Sequence, residues 1–195
     1  AAQSPEGDKI KLDVVDYRTQ ARRQASPDEP FTVATTFARA LGWSYHGPKG
    51  GGELTPIYGS MTASGITGLA ICQAALDDYK DVKRAKLQSE ATRARNDGFA
   101  WFAQNMTMRY HAGDIDRQPR WFYYYLYGVE RASLLSGIAL IQDRDWYFEG
   151  SMILCHAQND DGHWPAELMW DQSVERDAMA ILFLKQSTMP VLTGK

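Results

Sequence analysis

Two charged residues, Glu130 and Arg131, come two residues after the most aromatic stretch of this 195-residue chain, Trp121-Phe122-Tyr123-Tyr124-Tyr125-Leu126-Tyr127. Charges on a helix that is apolar on every side are costly unless paired. They either bridge to a neighbouring helix, for instance at Arg176 or Asp177, or they face a ligand. Two acidic pairs, Asp77-Asp78 and Asp160-Asp161, have the oxygen ligands that magnesium uses. Magnesium needs several such groups in octahedral array, and adjacent aspartates on a helix point in different directions. Asp77-Asp78 reads more simply as a polar helix end. Cys155, His156, Asp160 and His163 are the zinc-ligand types that lie close in sequence. Cys155 and His156, as neighbours, diverge by about 100° on a helix, whereas zinc needs three or four converging ligands. No metal and no cofactor is assigned, and Cys155 reads as a small buried hydrophobe. A nucleophile elbow, a P-loop and a dinucleotide fingerprint are absent, and Gly50-Gly51-Gly52 is not followed by the lysine and helix a phosphate loop requires.

These residues need elements to position them. Ile10, Leu12 and Val14 alternate, which favours a strand, while the residues that follow favour a helix. Ser26-Pro27-Asp28-Glu29-Pro30 is a break that sets residues 1–30 apart as an N-terminal segment and linker. Phe31 to Leu41 reads as a short helix, and the glycine-rich stretch from Gly42 to Pro56 as loop. From Ser60 to Leu76 runs an apolar helix rich in small residues, among them Gly65 and Gly68, which suits the close approach of another backbone. Asp81 to Asn105 is helical, with an interruption expected at Asn96-Asp97-Gly98. Trp121 to Ser136 is a buried helix that includes Tyr124 and Leu134, with Gly137 as its C-terminal cap. Asp143 or Asp145 caps a helix reaching Ala157. Ser173 to Gln186 is the last helix, with Glu175 and Asp177 in its first turn, where they complement the dipole.

Composition sets outer limits. Hydrophobic residues make up 44% and charged ones 23%, so the chain folds. A net charge of -3 argues against a general nucleic-acid binder. No apolar run approaches the roughly 18 residues of a transmembrane helix. Two cysteines, Cys72 and Cys155, cannot make a disulfide framework, and they are not expected to bond to each other. The opening Ala1-Ala2-Gln3-Ser4-Pro5 leaves a removed leader and an arbitrary cut equally open, and with them an exported or a cytoplasmic location.

Three apolar helices start near Ser60, Trp121 and Ser173, at spacings of 61 and 52 residues, with more polar helices between them. That alternation is a signature of a helical-hairpin array. The loop Gln158-Asn159-Asp160-Asp161-Gly162-His163-Trp164 reads Q-x-x-D-G-x-W and resembles the QW repeat of squalene-hopene cyclases and their relatives. The Trp121–Arg131 and Ala180–Gln186 stretches, and Gly59-Ser60-Met61-Thr62-Ala63, are similar to bacterial proteins of the prenyltransferase and squalene-oxidase repeat group. The resemblance spans residues 31–190. It implies an all-α fold, an α/α toroid of inner and outer helices. Three hairpins would make half of the ring, so residues 31–195 would be part of a larger toroid. Gln158, Asp161, Gly162 and Trp164 would then be structural ties.

The same resemblance supplies catalytic patterns that the sequence does not complete. Class II cyclases use the middle aspartate of Asp-x-Asp-Asp to protonate an alkene. The nearest string, Asp114-Ile115-Asp116-Arg117, has an arginine in the fourth place, which favours the charged carboxylate. The Asp-x-Cys spacing of zinc prenyltransferases is absent. Polysaccharide lyases on α/α toroids use tyrosine and histidine, for which Tyr123, Tyr124, Tyr125, Tyr127 and His111 are the candidates. The expectation is therefore a non-catalytic binding or assembly module. Its concave face would hold a small-molecule ligand of unknown kind with Tyr124, Tyr127, Glu130, Arg131 and Asp177. The alternative is a toroid-type enzyme acting on an isoprenoid or a polysaccharide. The uncapped end helices would pair with a second copy or with the missing half of the ring.

Overall fold

A computed structural model describes residues 7–16, 33–45, 56–76, 83–117, 120–166 and 173–185. Within them the alternating Ile10, Leu12 and Val14 form a strand, β1 (Lys9–Asp16). The segment read as a short helix is instead a second strand, β2 (Ala34–Arg39), paired antiparallel to β1 with Lys9 opposite Arg39 and Leu12 opposite Thr36. Two more strands, β3 (Ile138–Ile141) and β4 (Arg144–Asp145), form a hairpin whose β3 pairs with the other side of β1. The sheet order is β2-β1-β3-β4. The fold is thus mixed α and β, not the all-α half-toroid expected from the repeat. A sheet backs the helices, so the picture of a half-ring of helical hairpins does not apply.

The first thirty residues therefore include the second strand of the sheet order. Leu12 on β1 is 1% exposed and belongs to the hydrophobic core. The junction between β1 and β3 is completed by a side chain. Gln142, in the β3–β4 turn, accepts from the Asp13 backbone N–H at 3.2 Å and donates to the Lys11 carbonyl at 2.9 Å. Its amide takes the place of one peptide unit in the ladder. Replacing Gln142 with alanine should cost about 1–2 kcal/mol, the usual worth of two partly exposed hydrogen bonds. Urea denaturation reads this directly, and an unchanged midpoint would contradict it.

Five helices lie among the described residues: α1 (Gly59–Leu76), α2 (Arg84–Asn105), α3 (Phe122–Ser136), α4 (Trp146–Ala157) and α5 (Ser173–Lys185). α3 packs between α1 and α5, α2 packs on α1 and on the sheet, and α4 lies against α3, α5 and β3. α3 is the buried centre, with Tyr125, Leu126, Val129 and Glu130 at 1% exposure or less. Its ends are looser than expected: Leu134 is buried, Tyr124 is half-buried, and Trp121 is an exposed cap residue. Gly137 ends the helix at φ 71°, a left-handed turn that its lack of a side chain permits. Asp145 caps α4 by accepting from the Phe148 N–H at 2.9 Å.

α2 runs unbroken through Asn96-Asp97-Gly98, because Gly98 lies against Ile66 and Trp43 where a side chain would not fit. Gly65 in α1 makes room for the Trp43 indole rather than for another backbone, and Gly68 faces open space. α1 is thus interior along one side only: Ser64, Gly68, Ile71, Cys72 and Ala75 are exposed. No helix among the described residues is long and apolar enough to cross a membrane.

Candidate functional site

Register places Lys9, Lys11 and Asp13 on one face of β1 and Arg39, Phe37 and Thr35 opposite them on β2. This face points away from the core, since the buried Leu12 and Ala38 occupy the alternate positions. Two of its three columns are mutually satisfied. Lys11 Nζ pairs with Asp13 at 2.9 Å, and Thr35 Oγ1 donates to Asp13 at 2.5 Å. The hydroxyl and the ammonium hold the Asp13 carboxyl below its usual pKa. The third column sets Lys9 directly opposite Arg39, two cations with no acid between them. Like charges at facing positions are unfavourable by several tenths of a kcal/mol. Lys9 leans over the Phe37 ring, with its Nζ 5.6 Å from the centroid.

α2 brings a third cation to the same place. Arg93 and Asp97 are one turn apart on the helix, beside the end of β2. Asp97 is only 7% exposed and is used by the backbone: its Oδ1 accepts from the Arg39 N–H at 2.8 Å, and its carbonyl accepts from the Leu41 N–H at 3.2 Å. Between strand and helix lies a cleft of about 550 Å³. Lys9, Arg39 and Arg93 border it, Ala38, Leu41 and Ala94 give it an apolar floor, and Phe37 stands at its rim, 68% exposed. Among the described residues none of the three cations takes part in an ion pair. The arrangement can hold an anion over an apolar surface.

The residues singled out from the sequence lie elsewhere. Tyr124, Tyr127 and Arg131 follow one half-buried stripe of α3, while Glu130, about 100° round the helix from Arg131, is fully buried beside Leu126 and Val129. They do not converge on one ligand. Asp177, on α5, is engaged with His163 Nδ1 at 2.6 Å, with the Trp164 N–H at 3.2 Å and with Arg176 at 3.2 Å. Burial pushes its carboxyl up, but these three donors outweigh that and hold it below the usual value. The hydrogen bond to Asp177 in turn raises the pKa of the exposed His163.

The loop from Gln158 to Pro165 ties helix ends together. Gln158 Nε2 donates to the Gly162 carbonyl at 2.8 Å, and the Asp161 carboxylate accepts from the His163 N–H at 2.9 Å. Trp164 is buried and donates its indole N–H to the Leu154 carbonyl at 2.8 Å, near the end of α4. Tyr123 donates to the Pro165 carbonyl at 3.1 Å.

The histidine considered for acid–base work is structural in its contacts. His111 Nε2 accepts from the Ser60 N–H at 3.1 Å, satisfying one of the orphan donors at the start of α1. Its ring lies 5.6 Å from Tyr58 and 5.2 Å from Tyr125. Burial pushes its pKa down to about 4, against the opposing pull of Asp114 and of a hydrogen bond to the Arg120 backbone. Burial also raises the pKa of the Tyr125 hydroxyl. A lone pair already committed to a backbone amide is not available to take a substrate proton.

Asp114 and Asp116 are paired with Arg120 at 3.6 and 2.8 Å, and Arg117 lies over the Tyr110 ring. Cys155 is exposed rather than buried, and Cys72 and Cys155 are both free thiols. Among the described residues no three His, Cys, Asp or Glu side chains are grouped to hold a metal. Asp77-Asp78 and Gly50-Gly51-Gly52 lie outside the described residues.

Sequence reasoning missed the cleft because its cations come from three separate segments, at Lys9, Arg39 and Arg93. The one available signal was Thr35, Phe37 and Arg39 alternating with the small Ala34, Thr36 and Ala38, which is a strand pattern. No family model, curated protein or solved structure matches the chain. The resemblance to the cyclase repeat group thus gains no support from them.

Proposed function

We propose that the protein is a non-catalytic binding module whose cleft between β2 and α2 holds an anionic ligand with an apolar part. The observation that carries this is the gathering of Lys9, Arg39 and Arg93 around one cleft, with Asp97 the sole acid lining it among the described residues and that acid bonded to backbone. In a chain of net charge -3, a cluster of three cations stands out against the rest of the surface and directs an anion to one place. The floor of Ala38, Leu41 and Ala94 and the Phe37 ring favour an apolar body attached to that anion. An anion seated between Lys9 and Arg39 also removes their mutual repulsion, so ligand binding should stabilise the fold.

Isothermal titration with phenyl phosphate and benzoate, against neutral benzyl alcohol, tests the reading. Both anions should bind, and benzyl alcohol should not. The double variant R39Q/R93Q should lose about a hundred-fold or more in affinity, since it removes two charge-assisted contacts of about 1.5–3 kcal/mol each. Raising the salt concentration should weaken binding in the same direction. Equal binding of the anions by the double variant would end the proposal.

A further inference from the structure

The free edge of the sheet, next to the cleft, narrows the kind of ligand. β2 is paired on one side only, to β1. On β1 the backbone groups of Lys11 and Asp13 turn toward β3, where Gln142 meets them. Their partners Phe37 and Thr35 therefore occupy positions whose N–H and C=O point away from β1, to the outer edge. Arg39 fits the same alternation, because its N–H goes outward to Asp97 and not across to Lys9. Among the described residues nothing is bonded to the outward groups of Thr35 and Phe37, and both residues are exposed.

The edge is open for a short distance only. From Arg39 onward α2 holds it: the Asp97 carboxylate takes the Arg39 N–H, its carbonyl takes the Leu41 N–H, and the Arg39 carbonyl accepts from Leu41 at 2.8 Å. A strand added along Thr35 and Phe37 must therefore stop at Arg39. The stopping point faces Lys9, Arg39 and Arg93. A chain bearing a side-chain acid there would have to continue past Asp97, whereas a chain that ends there has a carboxylate at its end.

We infer that β2 takes up the C-terminal tail of another polypeptide as an added strand parallel to itself, with the terminal carboxylate held by Lys9, Arg39 and Arg93. This ligand class presupposes the anion-binding reading of the cleft. Backbone hydrogen bonds at Thr35 and Phe37 give sequence-tolerant affinity, and the three cations select for a chain end. The guanidinium of Arg39 or Arg93 suits a carboxylate, since its donors match both oxygens at once. Phe37, standing out from the sheet, contacts an apolar side chain of the tail.

The probes are the tetrapeptide acetyl-Thr-Val-Thr-Val with a free C-terminus, the same peptide as its C-terminal amide, and acetyl-Thr-Val-Glu-Val amide, which has an acid on a side chain only. Affinities come from titration calorimetry, and backbone pairing from amide hydrogen exchange. The free-acid peptide should bind about ten-fold or more tighter than either amide, in line with one charge-assisted hydrogen bond gained. Exchange at Thr35 and Phe37 should slow on binding. R39Q should weaken the free-acid peptide by a similar factor, while K185Q, at an exposed position on α5, which packs on α3 and α4, should not. Equal affinity of acid and amide overturns carboxylate capture, and tighter binding of the glutamate peptide overturns the chain-end assignment. Binding without protection at Thr35 and Phe37 overturns strand addition. If benzoate binds and no peptide does, the anion site stands and the tail does not. If neither binds, both are wrong.

Discussion

Replacing Trp146 with alanine is expected to remove about 3–5 kcal/mol of stability, the range for deleting a large, fully buried aromatic side chain. Trp146 is 0% exposed at the first position of α4. Its ring meets Phe183 of α5 edge-on at 6.0 Å and Tyr147 at 5.8 Å. Its indole N–H donates to the Ile138 carbonyl at 3.0 Å, which fixes α4 to β3. One residue thus joins two helices to the sheet, and the loss would be a large share of the roughly 5–15 kcal/mol that holds a domain together. Trp146→Phe keeps much of the volume and gives up the donor, so it should cost less, about 1–3 kcal/mol. Urea unfolding of the two variants gives the comparison. A loss below about 1 kcal/mol for the alanine variant would contradict the burial of this side chain.

Acidification from pH 7 to pH 4 is expected to cost about 3 kcal/mol through His111 alone, from a pKa difference of about 2.5 units at 1.36 kcal/mol each. The sign follows from the lowered pKa. Above pH 6.5 the imidazole is neutral whether the chain is folded or not, and its contribution to stability is complete. Between 6.5 and about 4 the unfolded chain takes up a proton that the folded chain refuses, so stability falls as pH falls. Protonation also destroys the acceptor for the Ser60 N–H and opens the start of α1.

His163 works in the opposite sense. Its pKa is raised by Asp177, so its contribution is present at low pH and fades as pH rises through its folded-state pKa. Asp177, held low, acts in the same direction as His111, losing its contribution as pH falls. H111Q, which keeps an acceptor without the titration, should flatten the pH dependence between 6.5 and 4. A variant as acid-sensitive as the parent chain would show that His111 is not the responsible group.

Much of the helical layer was legible in the sequence because its signals are local. The run from Trp121 to Ser136 with Gly137 beyond it, and Asp145 ahead of the apolar α4, depend on neighbouring residues alone. The strand at Ile10, Leu12 and Val14 showed in its alternation. β2 did not, because Phe31, Ala34, Thr35, Ala38 and Leu41 also satisfy a helical period, and only pairing with β1 decides between the two. β3, four residues long, is too short to show any period, and its turn at Gln142-Asp143 lacks the glycine of the familiar hairpin signals.

With three of the four strands unread, the helices alone suggested a ring. The site was hidden for the same reason. Lys9 and Arg39 become neighbours only through the β1–β2 register, and Arg93 reaches them only because α2 packs over the strand end. Asp97, inside what read as a helix break, is the buried acid that closes the β2 edge.

The most direct measurement is an amide chemical-shift titration of the labelled protein with benzoate. Shifts should be confined to the amides of Arg39, Leu41, Ala94 and Asp97 and to Lys9 and Phe37, should saturate, and should vanish in R39Q/R93Q. Saturable shifts centred instead on Tyr124, Tyr127 and Arg131, or no saturable shift anywhere, would contradict an anion site between β2 and α2.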